Sequence, residues 1–533
     1  MFAIAFLIGL YANIILVLGM LNLYYQPVLA VFTFGYIFLS IVFWPLFDEK
    51  IRFNSLSEEL REGFKVHKIW MLLIVTSFGL MLIGALAPEI AFDSLWYHLT
   101  LPKIFLTEHG IRFFPGGLLH YSATPKLAEL LYVPALSLQS EILAKLIHMA
   151  FGVLTSIVIY LLARKYTDNR FALISVVIFL GNIVVLWEAT TAFIDLTRAF
   201  FEIMAFWGLL EFINTHKRKW LVESSLLVGL AIQTKLIGIT TLVVYVLLLF
   251  LFSKKDIVIN RLRLCAGYIL LALLVPLPWF IFSYIHTGNP VYPLFSQYLV
   301  GLNSVTFQFP QLITDLLSIF VASPDPVSPI YLILFPLFFM VRKNLKGDER
   351  IIFLGVGLSL IVWTLTPKTG GGRFLLPYLP LLSVATALFL YKIQDKKTFL
   401  KLSLLAVITI SVVSIFYRGA ATVRYLNVVL GIQSKEEFLT KNLNFTFGDY
   451  YDTDAQFTKF IKPSSTVLLY GFHNLYYMDV SFIDSTWVRR GDRFEYIATQ
   501  HTTLPSRFKY WTPIYSNSVT GVTLYTANQP WIY

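Results

Sequence analysis

The chain has 533 residues, 57% of them hydrophobic and only 14% charged, where a soluble domain carries about 25% charged residues. Its 42 Lys and Arg against 31 Asp and Glu give a formal net charge of +11, but the basic residues sit in short clusters between apolar runs. That pattern reads as topology signal and anionic-lipid contact and argues against nucleic acid, while a single cysteine, Cys265, excludes an intrachain disulfide and a structural thiolate metal site.

In chain order the apolar segments are 2–23, 28–47, 69–87, 143–163, 171–187, 193–213, 221–235, 237–252, 264–285, 330–341, 351–366, 374–391 and 399–417. They predict an all-α polytopic membrane protein with about thirteen transmembrane helices. The first segment has no Lys or Arg before Lys50, so it reads as a retained span and not as a cleaved signal peptide. Segments 221–235 and 237–252 predict a tight helical hairpin, and 330–341 predicts a helix reaching back to about residue 325. With the N-terminus in the cytoplasm, the inward loops 48–68, 164–170, 214–220, 253–263, 342–350 and 391–401 together hold 23 Lys or Arg. The outward stretch 88–142 holds only Lys103, Arg112 and Lys126, and 286–329 holds none. This asymmetry predicts a plasma-membrane protein with a cytoplasmic N-terminus and an extracytoplasmic C-terminus.

Two outward loops are long. The first, 88–142, contains Asp93, His98, Lys103, His109, His120, Lys126 and Glu129. Its mixed stretches 94–107 and 125–139 predict amphipathic helices at the membrane interface, where Trp96 and Tyr97 would suit. The second, 286–329, is punctuated by Gly288, Pro290, Pro293, Pro310, Pro324, Pro326 and Pro329 and predicts turns. From about residue 418 the composition shifts to Tyr, Thr, Asp and Asn. Stretches 466–472 and 519–525 read as strands of a small mixed α/β extracytoplasmic region, which either caps a cleft, holds an acceptor or only packs.

Charges near membrane depth are costly unless paired or solvated, so they are the first places to look for function. Asp195 and Arg198 open the sixth apolar segment one turn apart, which predicts a mutual ion pair; Glu202 continues that face. Glu188 ends the preceding segment, so Glu188 and Asp195 are expected to converge on the outer rim. Asp93 lies just past the third segment with Tyr97 on its helical face and His98 beside it. A carboxylate there can take a proton from an acceptor hydroxyl or amine, or share a divalent cation with Asp195 and His98. Lys235 sits at the hairpin apex, and Arg373 follows Gly370, Gly371 and Gly372; both are expected outside, where they could clamp a phosphate. No strand, Gly-rich turn and helix with Gly-Lys-Ser/Thr is present, so no nucleotide cofactor is expected. The plainer alternatives are a structural ion pair closing two helices, a helix-capping Asp93 and a Lys235 that snorkels to the interface.

These stretches resemble the GT-C group, the polytopic glycosyltransferases that use polyprenyl-phosphate sugars as donors. It includes aminoarabinose transferases, protein O-mannosyltransferases and the dolichyl-phosphate-mannose-mannosyltransferase-like transferases. The resemblance spans roughly 85–390. It rests on Asp93 followed by Tyr97 and His98, on Asp195 in a Phe-Ile-Asp stretch opening a span, on Gly229 through Gly238 with Lys235, and on Arg-Phe-Leu-Leu-Pro-Tyr-Leu-Pro at 373–380. There are departures: two spans precede the one before the first long loop, and no Trp-Trp-Asp is present, which disfavours transfer of a whole glycan to Asn. The resemblance implies a two-span extension over 1–68, a GT-C module over 69–417 and an extracytoplasmic domain over 418–533. It further implies inverting transfer from a polyprenyl-phosphate-linked sugar to a lipid, glycan or protein acceptor. Asp93 and Asp195 would be catalytic, Lys235 and Arg373 would hold the donor phosphate, and Tyr97, His98, Glu188 and Arg198 would support them. A divalent cation (Mg, Mn or Zn) at Asp93, Asp195 and His98 is a further expectation. A secondary transporter or a non-catalytic membrane scaffold are the competing readings.

Overall fold

The computed structural model describes residues 1–44, 53–253, 257–296, 314, 317–320, 326–365 and 371–533. The helices begin with α1 (Phe2–Met20), α2 (Gln26–Val42), α3 (Phe53–Val66) and α4 (Lys68–Ala85). The first long loop follows, with α5 (Thr100–Thr107) and α6 (Leu127–Ser137), and then α7 (Glu141–Arg164), α8 (Asn169–Leu180), α9 (Ile183–Glu188) and α10 (Asp195–Thr215). Next come α11 (Arg218–Thr234), α12 (Ile239–Phe252), α13 (Val258–Leu274) and α14 (Leu277–Thr287), then helices at Ile330–Val341, Asp348–Thr364, Leu379–Lys392, Lys397–Val429 and Lys435–Asn442.

The helical bundle is built around α10, whose residues Asp195–Phe206 are buried on every side. A helix without a polar face has to be enclosed or face lipid; α10 is enclosed, between α7 and α11. Small residues let its neighbours approach closely. Ser224 of α11 donates to the Ala205 carbonyl at 2.7 Å and shares a hydrogen bond with Tyr268 of α13 at 2.8 Å, tying three helices together. Gly9 of α1 lies against Leu230 of α11, where an added Cβ would come within 2.5 Å of the leucine.

All thirteen apolar segments contain helix. Among the described residues five helices are long and apolar enough to cross a membrane alone: α1, α4, α7, Gly371–Lys392 and Lys397–Val429. The pair α13 and α14 makes a sixth if counted as one broken span, bent by 66°. Its cause is Pro276 and Pro278: each lacks an N–H and clashes with the preceding turn, so one apolar run becomes two helices.

Several expectations need correction. The helix expected to reach back to about 325 starts at Ile330, because 326–328 are non-helical and Val327 N–H bonds the Ile319 carbonyl at 3.1 Å. α11 and α12 do not form a packed hairpin. They diverge from Lys235, α11 packing on α10 and α13 and α12 on α13 and Asp348–Thr364. The expected interfacial helix at 125–139 is not amphipathic at a surface: α6 buries Leu127 through Val133 and packs against α1, α5 and α7. Most of 286–329, including Pro310 and Pro324, lies outside the described residues, as does Gly370.

The tail carries a five-stranded mixed sheet of β1 (Thr466–Tyr470), β2 (Ser481–Asp484), β3 (Arg493–Gln500), β4 (Thr512–Asn517) and β5 (Val522–Ile532), ordered β2-β1-β3-β5-β4. β1 pairs parallel with β2 and β3, and β5 antiparallel with β3 and β4. The expected strand at 519–525 starts at Val522, because Asn517 accepts from the Val519 and Thr520 N–H groups and turns the chain. Alternation along β1 gives the sheet two faces. Val467 and Leu469 join one hydrophobic core with Leu101 and Phe105 of the first loop, while Leu468 packs with Phe494 and Trp511 on the other side. Each such burial is worth about 1.5–3 kcal/mol, so the tail and the first loop share a core.

Candidate active site

Five separate segments bring charged side chains to one place. Asp93 heads the short helical turn Ser94–His98 of the first loop, Glu188 ends α9, Asp195 starts α10, Lys235 lies between α11 and α12, and Arg373 sits in a 3-10 turn, Gly371–Tyr378, ahead of Leu379–Lys392. Arg373 is the hub. Its Nη1 lies 2.5 Å from Asp93 Oδ2, and its Nε lies 2.9 Å from Asp195 Oδ2 and 3.1 Å from Glu188 Oε1. Lys235 Nζ donates to the other Asp195 oxygen at 2.7 Å. Aromatic faces back both cations: Phe193 under Arg373 at 4.2 Å and Phe374 under Lys235 at 4.9 Å. Three carboxylates thus face two cations. The Asp195 and Glu188 side chains are fully buried, whereas that of Asp93 is 20% exposed. The Lys235 side chain is 19% exposed, so the site is open to its surroundings at Asp93 and Lys235 and closed at Asp195 and Glu188.

The local chain explains the placement. Asp195 is in the first turn of α10, where the helix N-terminus favours negative charge. The 189–194 turn before it is pinned from three sides. Glu89 accepts from the Ala192 N–H at 2.7 Å, Tyr132 hydroxyl donates to the Phe193 carbonyl, and His148 Nδ1 lies 2.9 Å from the Thr191 carbonyl while its Nε2 accepts from the Leu196 N–H at 3.2 Å in the first turn of α10. Gly371, at φ +57°, starts the turn that carries Arg373 in a backbone conformation glycine adopts readily.

The electrostatics of Asp93 are a contest. Burial pushes its pKa up, but the charge of Arg373, with His98 and its hydrogen bond to Arg373, outweighs burial and holds the carboxyl below its usual range. Asp93 is therefore ionised at neutral pH. Tyr97 hydroxyl approaches Asp93 Oδ2 at 3.5 Å, and burial with the Asp93 charge raises its pKa.

The expected ion pair of Asp195 with Arg198 does not form. Asp195 is taken by Lys235 and Arg373, while Arg198 points one turn deeper, to Glu202 at 2.5 Å and to the Tyr378 hydroxyl at 3.3 Å. It supports the Arg373 turn from below. His98 Nδ1 bonds Glu129 Oε1 at 2.9 Å instead of sharing a site with both aspartates. Among the described residues no group of three or more His, Cys, Asp or Glu is placed to hold a metal ion. Asp93, Asp195 and His98 do not form a ligand set in this geometry, and the two aspartates are neutralised by protein cations.

Sequence reading left Glu89, Lys126, Glu129 and His148 without roles. Lys126 is fully buried beside Glu129, and burial lowers its pKa to about 8. Each of Glu89, Lys126 and Glu129 is a charge in an apolar stretch of the first loop, and that signal could have found them. His148 carries no such mark, because an imidazole inside an apolar helix is usually only packed.

The tail docks beside this pocket. Lys103 Nζ donates to the Tyr476 carbonyl at 2.7 Å, the Met478 carbonyl at 3.0 Å and Asp479 at 2.6 Å, and the Tyr477 hydroxyl donates to the Glu89 carbonyl at 2.8 Å.

Residues 132–282 match the family model described as dolichyl-phosphate-mannose-protein mannosyltransferase. No curated protein sequence matches the chain. Among solved structures, ArnT from Cupriavidus metallidurans bound to undecaprenyl phosphate is similar, with a TM-score of 0.56 and 13% identity over 87% of this chain and 98% of that one. Its apo form gives 0.52, again at 13% identity, over 85% and 97%. The chain has the GT-C fold. The polar cluster is therefore embedded in a GT-C helical bundle, and the apolar helices around it make the chain an integral membrane protein.

Proposed function

We infer that this chain is a glycosyltransferase that moves a sugar from a polyprenyl phosphate to a lipid, glycan or protein acceptor on the extracytoplasmic face, with inversion. One observation carries the reading: Arg373 and Lys235 meet on the buried Asp195, and the site they form is open at Asp93 and Lys235. The reading includes thirteen spans, a cytoplasmic N-terminus and an extracytoplasmic C-terminus, supported by helix in every apolar segment and by the distribution of Lys and Arg. It draws further support from the likeness to ArnT, which in one structure holds undecaprenyl phosphate.

In the proposed step the acceptor oxygen attacks the anomeric carbon as the bond from that carbon to the donor phosphate oxygen breaks. The electron pair leaves on the phosphate, where charge builds in the transition state, and Lys235 and Arg373 stabilise it. The acceptor proton goes to Asp93. As Arg373 turns to the phosphate it gives up part of its hold on Asp93, so the carboxylate becomes a stronger base as the leaving group charges. Asp195 and Glu188 keep both cations in place before the donor arrives.

The test is Asp93→Asn in membranes supplied with a labelled polyprenyl-phosphate sugar. Transfer is expected to fall by about a hundredfold or more; transfer at near-normal rate would end the assigned role.

A further inference from the structure

The pocket mouth at Asp93 is walled by rings from two parts of the chain. Phe92, Trp96 and Tyr121 come from the first loop, and His473 and Phe447 from the tail. Phe92 stacks on His473 with centroids 4.9 Å apart at 29° and meets Phe447 at 5.2 Å; Trp96 lies 4.6 Å from His473 and 5.3 Å from Tyr121. Phe92 adjoins Asp93 in sequence, and Tyr121 lies in the field of Asp93 and Arg373. The rings are not closed over: Phe92, Trp96, Tyr121 and His473 are only partly buried, and Phe447 is 61% exposed.

The tail holds its share of this wall in a fixed position. The His473 and Asn474 N–H groups both donate to the Gly448 carbonyl at 3.0 Å. Gly448, at φ +97°, lies so near His473 that an added Cβ would come within 2.8 Å of the histidine Cβ. The close approach of these two loops therefore depends on glycine.

We propose that this wall is the acceptor subsite, that the acceptor presents a carbohydrate ring to it, and that the C-terminal domain supplies two of its five rings. The proposal rests on the glycosyltransferase reading and names the acceptor that reading leaves open. The ring types argue for a sugar over an acyl chain. A sugar ring offers an apolar C–H face to an aromatic face and hydroxyls to its polar edges, and phenol, indole and imidazole supply both. An apolar groove of about 560 Å³ lies elsewhere, between α1, α2, α6 and α7, with Ile4, Leu7, Leu131 and Leu154 beside Tyr36 and Phe151 in its lining.

The experiment is saturation-transfer NMR on the full chain in lipid nanodiscs free of sugar detergent. The probes are the methyl glycosides of glucose, mannose, galactose and N-acetylglucosamine. At least one is expected to show saturation at its ring protons, falling about tenfold in Phe447→Leu and Phe92→Leu, which keep apolar bulk but lose the aromatic face. Tyr510→Leu, an exposed ring not among the five of the wall, is expected to leave the signal unchanged. Saturation of none of the glycosides, equal saturation in the leucine variants, or saturation instead of a Ser/Thr-containing tetrapeptide would each overturn the proposal. Undecaprenyl phosphate binding, measured on the same nanodiscs, reports separately on the parent reading. If it binds and no glycoside does, only the acceptor assignment falls; if it does not bind, the donor assignment falls whatever the glycosides do.

Discussion

Arg373 Nε lies 2.9 Å from Asp195 Oδ2, across 178 residues of sequence, and the same guanidinium reaches Asp93 and Glu188. One side chain thus carries most of the neutralisation of three acids. Breaking a buried ion pair on one side leaves the other charge uncompensated and costs about 3–5 kcal/mol. Arg373→Ala is expected to lose stability on that scale, read as a lower unfolding temperature, and Arg373→Ala with Glu188→Gln to regain part of it. Arg373→Lys should fall between, since an ammonium cannot span three carboxylates as a guanidinium fork does. An Arg373→Ala chain that unfolds at the native temperature would contradict this network.

Lys235 is bound to one carboxylate oxygen and backed by Phe374. Under the proposed function Lys235→Met is expected to raise the donor KM by roughly tenfold to a hundredfold, the range for a lost hydrogen bond between charged groups. Lys235→Arg should restore part of the affinity. Steady-state kinetics with a labelled donor reads this. An unchanged donor KM in Lys235→Met would remove the lysine from the phosphate site.

The tail has its own pH dependence. Asp484 is 2% exposed, accepts from the Thr486 N–H at 2.8 Å, and has its pKa pushed up to about 6, burial being the main cause. A carboxyl with a raised folded pKa favours the fold when protonated. The stability it contributes is full below the unfolded value near 4, declines as pH rises to about 6, and is gone above that. The expected difference is on the order of 3 kcal/mol. Amide exchange in β1 and β2 of the full chain should therefore be slower relative to intrinsic rates at about pH 4.5 than at about pH 7. Asp484→Asn, which keeps the acceptor for Thr486, should flatten that difference. The same pH trend in both chains would rule Asp484 out.

Lys103 makes three hydrogen bonds that fasten the tail to the first loop. The Asp479 partner is exposed and worth little, and the two carbonyls carry more of the effect. Lys103→Met is expected to raise amide exchange at Leu475 through Met478 by roughly tenfold, with the transmembrane helices unaffected. Unchanged exchange there would mean that the shared apolar core alone holds the domain.

The principal charges of the site could be read from sequence because they interrupt apolar runs: Asp93, Asp195, Lys235 and Arg373 are conspicuous where most neighbours are Leu, Ile and Phe. Who pairs with whom was not legible. Helical spacing joined Asp195 to Arg198, but tertiary packing gave Asp195 two cations from elsewhere and sent Arg198 to Glu202. His148 stayed hidden because its task is to hold backbone. Hydropathy found 264–285 as one run, since proline barely alters the average while it breaks the helix. Only two strands of the tail were visible. β2 is only four residues long, β4 is half Ser, Thr and Asn and contains a Pro, and β3 mixes charge with apolar residues, so pairing and not composition makes them strands.

Because Arg373 lies 280 residues beyond Asp93, the ribosome makes the acids long before the guanidinium that offsets them. At ordinary elongation speeds that interval is on the order of tens of seconds. A nascent chain shorter than this carries Asp93, Glu188 and Asp195 with Lys235 but without the guanidinium that reaches all three. An unfinished polypeptide stalled before residue 371 would thus be left with surplus negative charge in the cluster, which is completed only in the last third of translation.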